Sequence, residues 1–540
     1  MSKLNVHQAI AQSLLDHGAD TMFGLMGDAN LFMVDHYVQQ LGGTFVTVAH
    51  EGSCVLAAMG YSQISRKVGV ATVTHGPALT NCVTALVEAV RGGYPMVLLA
   101  GDTPVAAPHH LQNIDQRELI KATGAQFEQM RSPETAAQDV ARAFYRAQVE
   151  RQPIVLNMPV EYMWEPAGPL APPRPVFTEP RGVAQSDTLD EAIGMIASAR
   201  RPLILAGGGA KHAREALVKL ADRLEAPLAT SLRGKGLFNG HPYNIGLFGT
   251  LSSPAGYEVM GQADCIIAFG SSLSFYTTDH GKLMDGKRVV HVDISPEAIG
   301  GSRPPEAGIV ADAVSGAETI LYWLDEAEIP GSGFTNDLEA GTLTHHPIPA
   351  NNAPEGYINY VDALVALNEA LPAERIFVND VGFCILEAWA RIDVPDPQSF
   401  ITTGNFTCVG LGLQTAIGAA KAAPDRTVVL VTGDGGFAMG GLGEFHTAVR
   451  EGLNIVVVIA NDSAYGAEHV QFTARQMDPS MSHLEWPDFS AVAAAMGAKT
   501  VRVTSPETLD EAVVAASGTL DGPVVVELVL KADDMPTPRV

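Results

Sequence analysis

The chain has 540 residues, of which 46 % are hydrophobic and 17 % charged, so it is long enough for three or four well-packed domains and too apolar to be mostly disordered. Its 34 basic and 60 acidic residues give a formal net charge of −26, which excludes partners recognised through basic patches, namely nucleic acids and anionic membranes. Five scattered cysteines, the lack of an apolar leader, and apolar runs of only strand length predict a cytoplasmic protein that is neither exported nor inserted in a membrane.

Two proline-rich stretches divide the sequence, since neither a helix nor a central strand tolerates many prolines. They run from Glu165 to Pro180 and from His345 to Gly356. The predicted domains are therefore residues 1–170, 183–345 and 356–535, each of ordinary domain size.

Within each segment, short β-branched runs alternate with longer alanine-rich amphipathic stretches. This alternation is typical of buried parallel strands joined by crossover helices, so we predict an α/β fold with three doubly wound open-sheet domains. Ligands of such sheets bind at the carboxyl ends of the strands. The predicted strands comprise residues 45–49, 68–74, 96–100, 203–206, 265–269, 289–294, 427–432, 455–460 and 524–530.

Acidic and imidazole side chains follow several predicted strands of the first segment. Glu51 follows a strand and opens an alanine-rich helix, where an acid alone is typical of helix-dipole compensation. Asp28 lies in the turn Gly-Asp-Ala-Asn-Leu, His75 lies in Thr-His-Gly-Pro-Ala, and His109 and His110 are adjacent. Such groups can transfer protons near neutral pH, although each one singly is a common turn or surface residue.

The second segment contains a strand-to-helix turn with three consecutive glycines, at residues 207–209. The full GxGxxG pattern and its downstream ribose-binding acid are missing, so this turn is weak evidence for a bound dinucleotide. Oxidoreductase chemistry is therefore a remote alternative.

The third segment carries the most informative motif. A predicted strand runs into Gly433-Asp434-Gly435-Gly436, with a helix predicted at 442–451, and a second strand ends at Asn461-Asp462. Neighbouring parallel strands would bring the two strand ends together, 27 residues apart in sequence. Backbone N–H groups and carboxylate oxygens suit a diphosphate and a magnesium ion.

A GDG turn followed at this interval by Asn-Asn or Asn-Asp resembles the thiamine diphosphate signature of the pyruvate decarboxylase and acetolactate synthase superfamily. The resemblance covers essentially the whole chain and implies an N-terminal pyrimidine-binding domain, a central domain of dinucleotide-binding topology and a C-terminal diphosphate-binding domain. It implies thiamine diphosphate and Mg²⁺ as cofactors, and it leaves open FAD without a redox role in the central domain. It also implies a homo-oligomer, dimer or tetramer, with active sites between subunits.

The resemblance implies a role for each site residue. Glu51 is similar to the glutamate that protonates the aminopyrimidine, and Val409 and the Thr407 carbonyl fall where the cofactor is bent and held. Asp434, Asp462 and the main-chain oxygen of Ala464 are the implied metal ligands, with Asn461 as the alternative to Asp462. The remaining implied cofactor contacts are Gly382, Gly433, Gly435, Gly436 and Tyr465.

The resemblance implies that such enzymes form an enamine intermediate from a 2-oxo acid. The reaction then depends on whether this enamine reacts with a proton, a second carbonyl compound or an oxidant. Asp28, the pair His109-His110 and Glu468 resemble proton-relaying residues of pyruvate and indolepyruvate decarboxylases, and His75 resembles a histidine of benzoylformate decarboxylase. These residues favour a 2-oxo acid decarboxylase or carbon–carbon lyase with carboligase capability.

The runner-up is an acetolactate-synthase-like carboligase that forms acetohydroxy acids or 2-hydroxy ketones. It is favoured by residues 110–115 and 74–81, which resemble the Phe-Gln-Glu-x-Asp and Thr-Ser-Gly-Pro-Gly-Ala-Thr-Asn stretches of acetolactate synthases. The substrate is a small 2-oxo acid or aldehyde whose identity the sequence leaves open. Candidates for the pocket lining are Leu25, Met26, Phe406, Tyr465 and His469.

Overall fold

The apolar runs of the sequence form three six-stranded sheets, and all strand pairings in them are parallel. The computed structural model describes residues 4–176, 182–183, 185–349, 353–518 and 520–536. Strands buried on both faces need apolar side chains at every position, which is why uninterrupted apolar runs predict them. The predicted α/β fold class with three open sheets is confirmed.

The first sheet is built from β1 Thr21–Gly24, β2 Thr44–Thr47, β3 Gly69–Val73, β4 Met96–Asp102, β5 Gln126–Gln129 and β6 Pro153–Pro159. Its strand order is β2-β1-β3-β4-β6-β5. The accompanying helices are α1 Val6–Asp16, α2 Leu31–Asp35, α3 Glu51–Ser65, α4 Pro77–Thr80, α5 Val83–Gly92, α6 Gln116–Thr123 and α7 Ala136–Glu150.

The second sheet is built from β7 Pro202–Ala206, β8 Leu228–Thr230, β9 Asn244–Leu247, β10 Cys265–Phe269, β11 Arg288–Asp293 and β12 Ala307–Val310. Its order, β12-β11-β10-β7-β8-β9, places the first strand of the domain in the middle, as in dinucleotide-binding domains. Its helices are α8 Asp187–Ala197, α9 Arg214–Leu224, α10 Pro254–Gln262 and α11 Ala313–Glu326.

The third sheet is built from β13 Ile376–Asn379, β14 Phe400–Thr402, β15 Val428–Gly433, β16 Ile455–Asn461, β17 Lys499–Val503 and β18 Val524–Val529. Its order, β14-β13-β15-β16-β18-β17, repeats the order of the first sheet strand for strand. Its helices are α12 Tyr360–Ala370, α13 Ile385–Arg391, α14 Gly412–Ala422, α15 Asp434–Gly436, α16 Leu442–Arg450, α17 Gly466–Ala474, α18 Phe489–Ala495 and α19 Pro506–Ser517.

The helix after β15 begins earlier than the sequence predicts. We expected a glycine-rich turn and then a helix from Leu442, but the chain is helical from Asp434 onward, with a π-helical turn at Phe437–Gly441 between α15 and α16. Gln414 of α14 donates a hydrogen bond to the Gly440 carbonyl at 2.6 Å and so supports this turn. The N–H groups of the glycine motif therefore lie at a helix N-terminus, where they suit an anion.

The first and third domains meet where α3 crosses α14. At the crossing, a Cβ on Gly418 would lie 1.8 Å from the Ala57 carbonyl oxygen, and one on Gly60 would lie 2.1 Å from that of Thr415. Only glycine permits such an approach, so the two helices touch backbone to backbone. Each of these helices begins within three residues of a predicted cofactor contact, Glu51 for α3 and Val409 for α14.

The predicted domain limits of 1–170, 183–345 and 356–535 stay predictions, and each sheet lies inside one of these ranges. Residues 177–181 and 184, near the first predicted linker, and 350–352 of the second lie outside the described residues. Among the residues that are described, no helix is both long enough and apolar enough to cross a membrane.

Candidate active site

The carboxyl ends of β15 and β16 lie side by side, because the strands pair in parallel with Gly433 opposite Ala460. Asp434 follows the first strand and Asp462 follows the second. The Asp434 carboxylate accepts a hydrogen bond from the Ser463 N–H at 2.8 Å, so it fastens the turn after β16 to the end of β15. The prediction that these two strand ends meet is confirmed.

Both aspartates are buried and lie close enough to interact electrostatically. Burial raises the pKa of Asp434 to about 6, although backbone hydrogen bonds oppose the shift. Burial, and then the charge of Asp434, raise the pKa of Asp462 to about 7. Two buried carboxylates that disfavour each other's ionisation are suited to a divalent cation, which would neutralise both.

Of the two candidates for a second side-chain ligand, Asn461 has more hydrogen bonds within the protein than Asp462. The Asn461 amide donates to the buried Glu527 at 2.7 Å, and its oxygen accepts from the Ser463 N–H and hydroxyl. Asn461 is therefore engaged on the side of β18. Among the described residues, the Ala464 carbonyl accepts no hydrogen bond, so it is available as a third oxygen.

The described residues contain no group of three His, Cys, Asp or Glu side chains that could hold a metal ion. A cation between Asp434 and Asp462 would accordingly complete its shell with backbone, water or cofactor oxygens. This donor set fits Mg²⁺, which prefers oxygen and commonly binds through one or two carboxylates together with phosphate.

The glycines of the motif are closely surrounded by other residues at the start of α15. Gly435 faces the ring of Tyr465, whose nearest carbon would lie 3.5 Å from a Cβ at that position. A Cβ on Gly436 would lie 2.9 Å from an Asp380 oxygen and 3.3 Å from Val409. A side chain at Gly436 would therefore displace Asp380 or Thr432, whereas one at Gly435 would be in ordinary contact with Tyr465.

The turn after β13 lies close to the end of β15. A Cβ on Gly382 would lie 3.8 Å from the buried Cys384 sulfur, and one on Gly433 would lie 3.6 Å from it. Both glycines therefore lie against the same sulfur, which brings the two turns together.

Asp380 organises the loop that carries Val409. It is buried, and burial raises the pKa of its carboxyl group. Its carboxylate accepts hydrogen bonds from the Gly410 N–H at 2.9 Å and the Thr432 hydroxyl at 3.0 Å. Thr407, in the same loop, has a left-handed φ of 62°. The loop thus has a fixed backbone in which the Thr407 carbonyl and the Val409 side chain have defined places.

Glu51 is the first residue of α3, at the carboxyl end of β2. Its carboxylate accepts a hydrogen bond from the Asn81 amide at 2.9 Å. The preceding His50 caps the helix by accepting from the Gly52 N–H at 3.1 Å. The acid is therefore only partly buried and lies at the rim of the first sheet, on the side where its strands end.

His75, His110 and Asp28 form a cluster at the same rim. His75 is 4 % exposed, its ring lies 5.4 Å from that of His110, and its Nδ1 has no partner among the described residues. Burial, and then the charge of His110, lower the pKa of His75, while Asp28 and Asp102 act in the opposite direction. The lowered pKa favours the neutral imidazole of His75, whose buried Nδ1 has no hydrogen-bond partner among the described residues.

The other predicted side chains are more exposed. His109 is exposed beside the cluster, and Glu468 is exposed in the first turn of α17. His469, suggested as a pocket-lining residue, is instead buried, with Nε2 3.0 Å from an Asp533 oxygen, so its ring nitrogen is engaged inside the third domain.

The predicted site residues thus fall into two groups on two different sheets. One group lies at the rim of the first sheet around Glu51 and His75, and the other at the rim of the third sheet around Asp434 and Val409. The hydrogen bonds of Glu51 and those of Asp434 share no residue.

The sequence reasoning missed three buried carboxylates that hold the site's backbone: Asp380, Glu88 and Glu444. Asp380 directly follows an apolar strand, which is a detectable signal. Glu88 and Glu444 occupy core-facing positions of amphipathic helices, where an acid is unusual unless it has buried partners.

Three family models match successive parts of the chain. The thiamine pyrophosphate enzyme N-terminal TPP binding domain matches residues 4–119, the central domain of these enzymes matches residues 189–320, and their C-terminal TPP binding domain matches residues 380–528.

Curated relatives align along almost the full length. A sulfoacetaldehyde acetyltransferase of Roseovarius nubinhibens is 28 % identical, over 94 % of this chain and 89 % of its own. An acetolactate synthase large subunit of Corynebacterium glutamicum is 26 % identical, over 99 % and 88 %. An acetolactate synthase of Mycobacterium bovis is 28 % identical, over 100 % and 90 %.

Proposed function

Because the chain belongs to the thiamine pyrophosphate enzymes, we propose that it is a magnesium-dependent carbon–carbon lyase of that family which decarboxylates a small 2-oxo acid and also performs carboligation. The observation that supports the proposal is that candidate residues gather at the strand ends of two sheets, acids and imidazoles on the first sheet and two carboxylates with glycines on the third. When bound, thiamine diphosphate supplies a nucleophilic thiazolium carbon that adds to the carbonyl of the substrate.

The third-sheet rim is proposed to hold the diphosphate end. Asp434, Asp462 and the Ala464 carbonyl are the proposed metal ligands, and Gly435 and Gly436 provide N–H groups at a helix N-terminus. The engagement of Asn461 with Glu527 supports Asp462 as the second ligand. Gly382, Gly433 and Tyr465 border the same space.

Glu51 is proposed to hold and return a proton at the ring nitrogen of the aminopyrimidine. Its hydrogen bond from Asn81 fixes one carboxylate oxygen and leaves the other for the cofactor. Thr407 is proposed to accept a hydrogen bond from the pyrimidine amino group through its carbonyl, and Val409 to support the bend of the cofactor.

Glu51 and Asp434 lie at rims of different domains, so a complete site needs the two rims to face each other. We propose that a second copy of the chain supplies the facing rim, which makes a homodimer the smallest active unit. A cytoplasmic location remains part of this proposal.

The imidazole cluster is proposed to select decarboxylation to an aldehyde. His75 presents an unpartnered ring nitrogen, and His110, Asp28 and Asp102 lie close enough to shift its pKa. Such a set can deliver a proton to the carbon that has lost carbon dioxide. His109 and Glu468 are proposed to take part from the exposed side.

A second candidate function is transfer of the acyl unit to an acceptor instead of a proton. The printed names of the relatives, sulfoacetaldehyde acetyltransferase and acetolactate synthase, favour it. In that case the same imidazoles would position an acceptor carbonyl or anion.

The central domain is proposed to offer a nucleotide site without a redox role. Its glycine turn at 207–209 follows β7, beside the point where the strand order reverses. Arg233 lies across Gly208, and both Arg233 and Arg151 help to lower the pKa of Lys211, which burial brings to about 8. This cationic cluster suits a phosphate anion, and a flavin absorbance in the purified protein tests for FAD.

The proposed function is tested by product analysis with thiamine diphosphate and Mg²⁺, using aliphatic and aryl 2-oxo acids with and without an aldehyde acceptor. Aldehyde as the main product supports decarboxylation, whereas acyloin or acetohydroxy acid with little aldehyde supports the second candidate. Glu51→Gln is the control: if it retains full activity while binding cofactor, the proposed mechanism is wrong.

A further inference from the structure

Two buried glutamates each accept hydrogen bonds from the other domain, one from the third domain to the first and one from the first domain to the third. Glu444 of α16 reaches into the first domain, and Glu88 of α5 reaches into the third. Glu444 is 2 % exposed and Glu88 is fully buried. Carboxylates this deeply buried persist only where fixed donors compensate the loss of water.

Glu444 holds the chain just before Glu51. Its two oxygens lie 3.1 and 3.0 Å from the Ala49 nitrogen, which donates to both. Arg450, at the end of the same helix, donates to the Thr47 carbonyl. The end of β2 and the turn that follows it are therefore held at two points by α16, and this sets the direction in which the chain enters α3.

Glu88 holds the loop that carries Thr407 and Val409. One of its oxygens accepts from the Asn405 N–H at 3.2 Å and the Asn405 amide at 2.6 Å, and the other accepts from the Phe406 N–H at 2.6 Å. Burial raises the pKa of Glu88, whereas these bonds stabilise its ionised form.

The two segments held by Glu444 and Glu88 each precede one of two helices that pack tightly against each other. Helix α3 begins at Glu51, α14 begins shortly after Val409, and the two helices touch at Gly60 and Gly418. If the segment before α3 or the segment before α14 shifts, the packed helix cannot move with it. The shift therefore displaces Glu51 in the first case, and Thr407 and Val409 in the second.

We infer that Glu444 and Glu88 are positioning residues for the proposed reaction, Glu444 for Glu51, and Glu88 for Thr407 and Val409. The inference rests on the proposed function. Without the carboxylate acceptor, the Ala49 or Phe406 N–H group would shift toward another acceptor or water, and a displacement of about 1 Å can lower a rate roughly 100-fold.

The test replaces each glutamate by methionine, which fills similar space without accepting hydrogen bonds, and by glutamine, which keeps one acceptor oxygen. We expect kcat to fall about 10-fold to 100-fold in the Glu444→Met and Glu88→Met variants, with partial recovery in the glutamine variants. Cofactor affinity should fall less than kcat, because the proposed metal and diphosphate contacts around Asp434 and Asp462 are untouched.

Amide hydrogen exchange in the cofactor-free protein gives a readout that does not depend on activity. Glu444→Met should accelerate exchange at residues 47–51 by about 10-fold and leave residues 405–409 unchanged, and Glu88→Met should do the reverse. Asp139→Asn is the matched control, because Asp139 is a fully buried carboxylate whose bonds to Arg131, Arg142 and Thr135 stay inside the first domain. It should lower the melting temperature without changing kcat of the folded enzyme.

A double-mutant cycle separates this inference from the proposed function. If Glu444 acts through Glu51, adding Glu444→Met to Glu51→Gln lowers the residual activity no further, whereas a multiplied loss overturns the inference. Val409→Ala serves as the corresponding background for Glu88. Full activity of Glu51→Gln alone would refute the proposed role of Glu51 whatever Glu444 does. Should a methionine variant not fold, the glutamine variant carries the same cycle.

Discussion

The crossing of α3 and α14 predicts a large effect from one added methyl group. In Gly418→Ala, the new Cβ would lie 1.8 Å from the Ala57 carbonyl oxygen and 2.6 Å from its carbon. Non-bonded heavy atoms prefer a separation of about 3.5 Å, so α14 has to move away from α3 by more than about 1 Å. A backbone carbonyl in a helix cannot rotate aside as a side chain can.

The magnitude follows from two opposing terms. Overpacking of a tight contact costs about 1–3 kcal/mol, and the upper end applies here because the contact is backbone on backbone. Replacing glycine by alanine inside a helix returns about 1 kcal/mol. We expect a net loss of about 2 kcal/mol, which corresponds to a melting temperature lower by about 4–8 °C for a domain of this size.

The assay is thermal unfolding followed by circular dichroism, with Gly443→Ala as the matched control. Gly443 lies in α16, is exposed, and has no atom within 4 Å of the built Cβ position, so alanine there should stabilise slightly. The reasoning is refuted if Gly418→Ala melts as high as Gly443→Ala. We also expect Gly418→Ala to lower kcat, since the start of α14 lies next to Val409.

Three further predictions follow from the candidate site and its surroundings. Asp462→Ala should weaken Mg²⁺-dependent cofactor binding at least about 10-fold by calorimetry, whereas Asn461→Ala should chiefly lower the melting temperature through Glu527; equal loss of binding in both would contradict the ligand choice. Because burial lowers the pKa of His75 below its usual 6.5, the unfolded chain binds the proton more readily, so wild type should lose stability relative to His75→Asn as pH falls below 6.5, and parallel curves would exclude this. Burial also lowers the pKa of Lys235 from 10.5 to about 8, so the stability of wild type relative to Lys235→Met should rise between pH 8 and 10, and a flat difference would count against that shift.

Much of the fold could be predicted because strands buried on both faces consist of consecutive apolar residues, which can be recognised in the sequence. The strand at residues 265–269 was predicted with its observed ends, and that at 455–460 was one residue short. The start of the helix at Asp434 could not be predicted in this way. Six glycines in the eleven residues 433–443 favour a turn, and helicity there depends on distant contacts such as the one from Gln414.

The candidate site was only partly visible for the same reason. Residues next to strand ends, such as Glu51 and Asp434, can be recognised because topology places strand ends at ligand sites. Glu444 and Glu88 hold backbone more than 300 positions away in the chain. No local periodicity or motif identifies a partner so distant in sequence. The one detectable signal is an acidic residue on the apolar face of a helix.

The contact between α3 and α14 at Gly60 and Gly418 also separates positions that cannot be substituted from positions that can. Met26, Leu111, Met439 and Tyr465 are half or more exposed at the two functional rims within the single chain, so no buried packing fixes their size. A library confined to these positions would vary exposed side chains near the proposed site among folded proteins. In a library that included Gly60 or Gly418, most variants would have α3 forced away from α14 and would be less stable.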